Sequence, residues 1–164
     1  MRNLVNKLIE KNKTISTMES CTGGGVANYI TNIEGASEVL KFSAVTYSNE
    51  YKIKMGVSKD TIDKYSVYSK EVAIEMSRCI SAYTNSDYGI GITGKLNRAD
   101  KNNLYGNDNQ VFVSIYDREN DINYDYDIYV DRESRELNKV LVIELIEDRM
   151  LEILSQKVYY DKKY

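Results

Sequence analysis

Thr14-Ile15-Ser16-Thr17-Met18-Glu19-Ser20-Cys21-Thr22-Gly23-Gly24-Gly25 decides how this chain folds. Its first five residues alternate β-branched and polar positions, as a short strand does. Three glycines then break the strand, and Gly25-Val26-Ala27-Asn28-Tyr29-Ile30-Thr31-Asn32 reads as a helix. A strand running through a glycine turn into a helix is the opening unit of an α/β domain. Upstream, Leu4, Val5, Leu8 and Ile9 share one stripe and predict a short amphipathic helix over 2–11. Downstream, 39–48 is a β-rich run, and the helix EYKIKMG that follows ends at Gly56 as a cap. Ser58 and Ser69 are N-cap candidates. Beyond Ser69, the spacing of Val72, Ala73, Met76, Ile80 and Tyr83 predicts a helix.

Residues 88–93, YGIGIT, form a further strand candidate, and 94–109 has loop composition with no period. Two strands, 110–117 and 122–130, flank a turn and predict an antiparallel hairpin. In the second, Ile122, Tyr124, Tyr126, Ile128 and Val130 share the inward face, and Asn123, Asp125 and Asp127 form a wet one. Residues 134–154 predict a long helix with Leu137, Val140, Leu141, Leu145 and Leu151 inward, followed by a frayed tail at 157–164. The expectation is a single α/β domain over 1–156 with a mixed sheet.

With 164 residues, the chain has room for one ordinary domain and its core. It contains no His, Pro or Trp. Without His, Ser-His-Asp and Cys-His machinery and imidazole metal sites are excluded, so a nucleophile must be activated by Lys, Tyr or a carboxylate. A net charge of −3 from 22 basic and 25 acidic residues carries no field for nucleic acid. No apolar run reaches the length of a membrane span, and MRNLVNKLIEKNK is not a signal sequence. Cys21 and Cys79 make neither a disulfide framework nor a zinc spacing. Carboxylates such as Glu19 lack partners at ligand spacing, so no metal or other cofactor is expected. The reading is a reduced, cytoplasmic protein.

Chemistry-bearing residues gather at three strand ends, where α/β sheets place their sites. At the first, the hydroxyl of Ser20 precedes amides around Thr22, Gly23 and Gly24 that suit an oxyanion or a phosphate. An ordinary glycine turn with a Ser/Thr N-cap has the same composition. At the second, Tyr47-Ser48-Asn49-Glu50-Tyr51-Lys52 brings Tyr47 and Lys52 toward one crevice. A poorly solvated Lys loses its charge and becomes a base for a serine hydroxyl, whereas a solvated Lys on a helix face does nothing of the kind. The third end is Thr93-Gly94, opening the polar loop. Cys21 reads better as a small buried thiol than as a nucleophile.

Taken together, TMESCTGGGVANYIT, the GAS at 35–37, VTYSNEYKIKMGV, VYSKEVAIEMS, GIGITG and Asp131-Arg132 resemble the CinA C-terminal domain family in order and spacing over roughly 4–154. Its stand-alone members include nicotinamide-nucleotide amidases of the PncC type. The resemblance implies a three-layer α/β/α domain and hydrolysis of the carboxamide of nicotinamide mononucleotide to the acid and ammonia. It also implies a small-molecule nucleotide as partner, and a homo-oligomer is compatible with it. On that basis Ser20 resembles the nucleophile, Lys52 its activating base and Tyr47 the residue that relays or orients the proton. Thr22, Gly23, Gly24, Asn49, Thr93 and Gly94 resemble the substrate-binding set. After ITG the family continues with Ala-Gly-Pro and Lys-Pro-Val-Gly elements, whereas this chain reads Lys95-Leu96-Asn97-Arg98-Ala99-Asp100 and later Asn107-Asp108-Asn109-Gln110. Two readings of that departure stand: a reshaped substrate pocket, or a nucleotide-binding or regulatory module that keeps the fold without activity.

Overall fold

The computed structural model describes residues 1–98, 100–101, 104 and 106–156; the tail expected to fray at 157–164 lies outside them. In chain order the elements are α1 (Arg2–Glu10), β1 (Ile15–Glu19), α2 (Gly25–Thr31), a 3₁₀ turn (Ala36–Glu38), β2 (Leu40–Val45) and α3 (Asn49–Lys54). There follow α4 (Lys59–Tyr65), α5 (Lys70–Thr84), β3 (Tyr88–Gly94), β4 (Gln110–Asp117), β5 (Ile122–Tyr129) and α6 (Arg135–Ser155). The sheet order is β2-β1-β3-β4-β5. β1 runs parallel to both β2 and β3, while β4 and β5 are antiparallel additions, so the sheet is mixed as expected.

Two cores lie on opposite faces of the sheet. On one, Leu4, Val5, Leu8, Val26, Ile30, Val142, Ile143 and Ile146 from α1, α2 and α6 pack over Ile15, Ile90, Ile92 and Val113. On the other, Val72, Met76 and Ile80 of α5 join Ile62 and Val67 against Met18. β1 and β3 are buried along their whole length, as strands covered on both faces must be. The glycines of YGIGITG make that second layer tight. A Cβ on Gly89 would stand 2.1 Å from the Ser77 carbonyl oxygen, and one on Gly91 2.3 Å from that of Ala73. α5 therefore lies directly on the β3 backbone.

Period-2 alternation along β1 sets up the site. Ile15, Thr17 and Glu19 face the α2 and α6 layer, and Met18 and Ser20 face the other. Since β1, β2 and β3 are parallel, their carboxyl ends meet, and the order reverses about β1. That is the crevice where open α/β sheets bind ligands.

Two sequence expectations need correction. On α6 the inward positions are Asn138, Val142, Ile143, Ile146, Met150, Ile153 and Leu154. Of the expected stripe, Leu137 is exposed, and Val140, Leu141, Leu145 and Leu151 are only half-buried. The segment is apolar around much of its circumference, so periodicity permits two neighbouring stripes about 100° apart, and packing on the sheet selects one. On β5, Ile122 is exposed at the strand start, and the polar row is not uniformly wet. Asn123 Nδ2 donates to Ser77 Oγ at 3.0 Å and Ser114 Oγ at 2.7 Å beneath α5, and Asp125, though exposed, accepts from Ser114 Oγ at 2.7 Å, while Asp127 is exposed.

Candidate active site

Ser20 follows the last residue of β1, and Thr46 and Tyr47 follow the last residue of β2. The strands are in register with Glu19 beside Val45, which carries Ser20 to the mouth of the turn that leads into α3. Ser48 caps that helix by accepting from the Tyr51 amide at 3.3 Å. α3 then does the opposite of what the hydrophobic effect asks. It turns Lys52 inward, where the residue is 2% exposed, and leaves Tyr51 and Ile53 outside. A lysine in the place of its apolar neighbours is a local conflict of the kind that functional sites retain.

Lys52 Nζ lies 3.1 Å from Ser20 Oγ and donates to the Thr46 carbonyl at 2.7 Å. Desolvation pulls its pKa from 10.5 down to about 8, against a small opposing pull from Cys21. The pair thus supplies a serine hydroxyl beside an amine that is a usable base near neutrality, with no imidazole. Burial pushes the neighbouring Cys21 thiol up to about 12, so it stays protonated and is no nucleophile.

The glycine turn is arranged differently from a phosphate cradle. Glu19, fully buried, accepts from Thr17 Oγ1 at 2.9 Å, Thr22 Oγ1 at 2.7 Å, the Val26 amide at 2.9 Å and the Ala27 amide at 3.0 Å. Its carboxylate therefore occupies the N-terminus of α2, where an anion would otherwise sit. The Gly23 amide is taken by the Ser20 carbonyl and that of Gly25 by Thr22. Gly24 holds the left-handed N-cap of α2 at φ +87°, and a side chain at Gly23 would meet Lys139 Nζ at 3.4 Å. Among the described residues the amides of Cys21 and Thr22 take no backbone partner.

A cleft of about 660 Å³ opens over the Ser20–Lys52 pair. The sequence model of the CinA C-terminal domain matches residues 1–135. This chain belongs to the CinA C-terminal domain family. It is 51% identical over 88 residues to a competence-damage inducible protein of Clostridium kluyveri, covering 53% of this chain and 22% of that one. It is 47% identical over 92 residues to a CinA-like protein of Kosmotoga olearia, covering 56% and 22%. The matched stretch thus spans about a fifth of the length of these relatives. Among solved structures, the CinA superfamily protein of Klebsiella pneumoniae superposes with a TM-score of 0.86 at 21% identity, covering 93% of this chain and 94% of that one. The competence/damage inducible protein CihA of Agrobacterium tumefaciens superposes with 0.81 at 23% identity, covering 94% and 95%. These likenesses establish the fold.

Of the residues singled out from the CinA resemblance, Ser20, Tyr47, Asn49, Lys52 and Gly94 line the cleft. Thr22, Gly23, Gly24 and Thr93 do not. Thr22 serves Glu19, and Thr93 Oγ1 donates to the Val67 carbonyl at 2.9 Å behind the wall. Tyr47 stands at the lip, 64% exposed, and its hydroxyl accepts from Arg135 at 3.4 Å. Asp131 and Arg132 stay outside on the approach to α6.

Tyr68 and Arg135 also line the cleft and were not anticipated. Burial and a hydrogen bond from its hydroxyl to Asp100 raise the Tyr68 pKa. Arg135 is the first residue of α6, one place after the Ser134 cap. Its position there carries a sequence signal, because a cation in the first turn opposes the helix dipole and needs another reason to be there.

Proposed function

We propose that the protein is an amidohydrolase that converts nicotinamide mononucleotide to nicotinic acid mononucleotide and ammonia. The observation that carries this reading is the buried Lys52 amine 3.1 Å from Ser20 Oγ, its pKa drawn down to about 8. An amide is a poor electrophile and needs both an activated nucleophile and a clamp for the developing oxyanion. Neutral Lys52 takes the Ser20 proton as Oγ bonds to the carboxamide carbon. The carbonyl oxygen then carries the negative charge, for which the backbone amide of Cys21 in the cleft wall is the clamp. Lys52 returns the proton to the leaving nitrogen, the C–N bond breaks, and ammonia departs. Water attacks the resulting ester with Lys52 again as base, releasing the acid and restoring Ser20. Tyr47, bonded to Arg135 at the lip, has the part of relaying or orienting the transferred proton.

Purified protein incubated with nicotinamide mononucleotide should release ammonia and the acid in equal amounts. Ser20→Ala should abolish this while leaving the unfolding midpoint unchanged. No release by the wild type, or full release by Ser20→Ala, sinks the reading. Binding of the mononucleotide without turnover would instead identify a binding module.

A further inference from the structure

The cleft carries a charge that the chain as a whole does not. Lys52, Lys95, Arg98, Lys101 and Arg135 line it against one carboxylate, Asp100, although the net charge of the protein is −3. Several of these cations are already engaged. Lys52 is the neutral base of the proposed reaction. Lys95 is buried, 3.3 Å from Asp108, and its amine lies 5.2 Å from the centre of the Tyr68 ring.

Arg135 differs from them. It donates from Nη1 to the Lys95 carbonyl at 3.1 Å and from Nη2 to the Tyr47 hydroxyl at 3.4 Å, both neutral acceptors. Among the described residues no carboxylate pairs with it. Its charge is felt at the Cys21 thiol, next to the nucleophile. A guanidinium tethered by neutral bonds is fixed in place while its charge remains uncompensated. It sits at the positive end of a 21-residue helix, where its own helix repels it. An anion arriving in the cleft relieves both conditions at once.

The α2 terminus cannot serve in its stead, because Glu19 occupies it. From this we infer that Arg135 is the residue by which the cleft recognises the anionic group of its ligand, a phosphate monoester, with Arg98 and Lys101 completing the basic wall. The inference rests on the hydrolase reading only for the identity of the amide; anion recognition stands apart from turnover.

The test uses Ser20→Ala as a non-hydrolysing background and calorimetry at low salt with three probes: nicotinamide mononucleotide, nicotinamide riboside and ribose 5-phosphate. The mononucleotide should bind at least about tenfold more tightly than the riboside, the range expected of a hydrogen-bonded charge pair. Arg135→Gln should remove most of that preference, and Arg135→Lys should restore part of it. Equal binding of mononucleotide and riboside overturns the inference without any variant at the arginine. So does a preference that survives Arg135→Gln. In the Ser20 wild type, Arg135→Gln should lower kcat/KM for the mononucleotide further than kcat/KM for nicotinamide riboside, since support of Tyr47 is common to both substrates and the phosphate is not; equal falls overturn it. If ribose 5-phosphate binds in an Arg135-dependent way and no amide is hydrolysed, the hydrolase reading falls and this one stands.

Discussion

Two helices begin beside the cleft, and they treat the same dipole in opposite ways. α2 starts at a glycine N-cap, and Glu19 reaches its first amides from the neighbouring strand, negative charge against positive pole. α6 starts with a proper serine cap and then sets Arg135, a cation, on its first residue. The first arrangement is closed: the carboxylate satisfies four donors and excludes any ligand. The second is open, since a like charge at the pole is relieved only by something from outside. A helix start that satisfies itself is structure; one left in conflict is available for recognition.

The contrast can be broken at its strongest point. Glu19→Ala strands the Thr22 hydroxyl and the Val26 and Ala27 amides, while Thr17 Oγ1 keeps Ser43 Oγ at 2.7 Å, and at about 1–3 kcal/mol for each orphaned group the loss should be at least about 3 kcal/mol. That is a large share of the stability of a domain this size, and urea denaturation measures it. A small loss would mean that water replaces the carboxylate and that the α2 terminus is accessible after all.

Next in size is the response of Lys52 to pH. The base acts when neutral, so kcat/KM should fall about tenfold per pH unit below about 8 and level off above it. A profile flat from pH 6 to 9 would remove Lys52 as the base. The same shift acts on stability. The folded pKa, about 8, lies below the ordinary 10.5, so between these values the unfolded chain binds more protons and stability rises with pH. This contribution is fully present above 10.5 and is lost as pH falls through 8. Lys52→Met should flatten that rise, and an unchanged slope in the variant would show that the lysine is solvated.

The smallest effect sharpens the comparison most. Arg135→Gln should leave stability unchanged or raise it by up to about 1 kcal/mol, because removing a cation from the positive pole relieves repulsion. Thermal denaturation checks it. A loss of several kcal/mol would make Arg135 a structural pin between α6 and the loop at Lys95.

Much of the site was legible because it follows the chain locally. The strand-turn-helix unit at 14–31 and the strand end before Lys52 could be read from alternation and glycines, and the absence of His directed attention to lysine. Arg135 could not be read that way. It reaches the cleft only because α6 returns across the sheet after the β4–β5 hairpin, a long-range packing event that no window of residues contains. The α6 stripe failed for a related reason: its sequence allows two faces, and only the sheet chooses between them.

By itself the sequence determined the order of strands and helices, the mixed sheet, and a chemistry that must do without imidazole. Tertiary structure decided which of two adjacent residues would anchor α2 and which would line the cleft beside Lys52. Strand alternation sends Glu19 to the α2 layer and Ser20 to the cleft, but what each side chain meets depends on the elements packed there. It also decided that the Lys52 pKa is drawn down to about 8, because a lysine holds its proton less tightly only when burial strips the water from its charge, and burial is a property of the assembled fold.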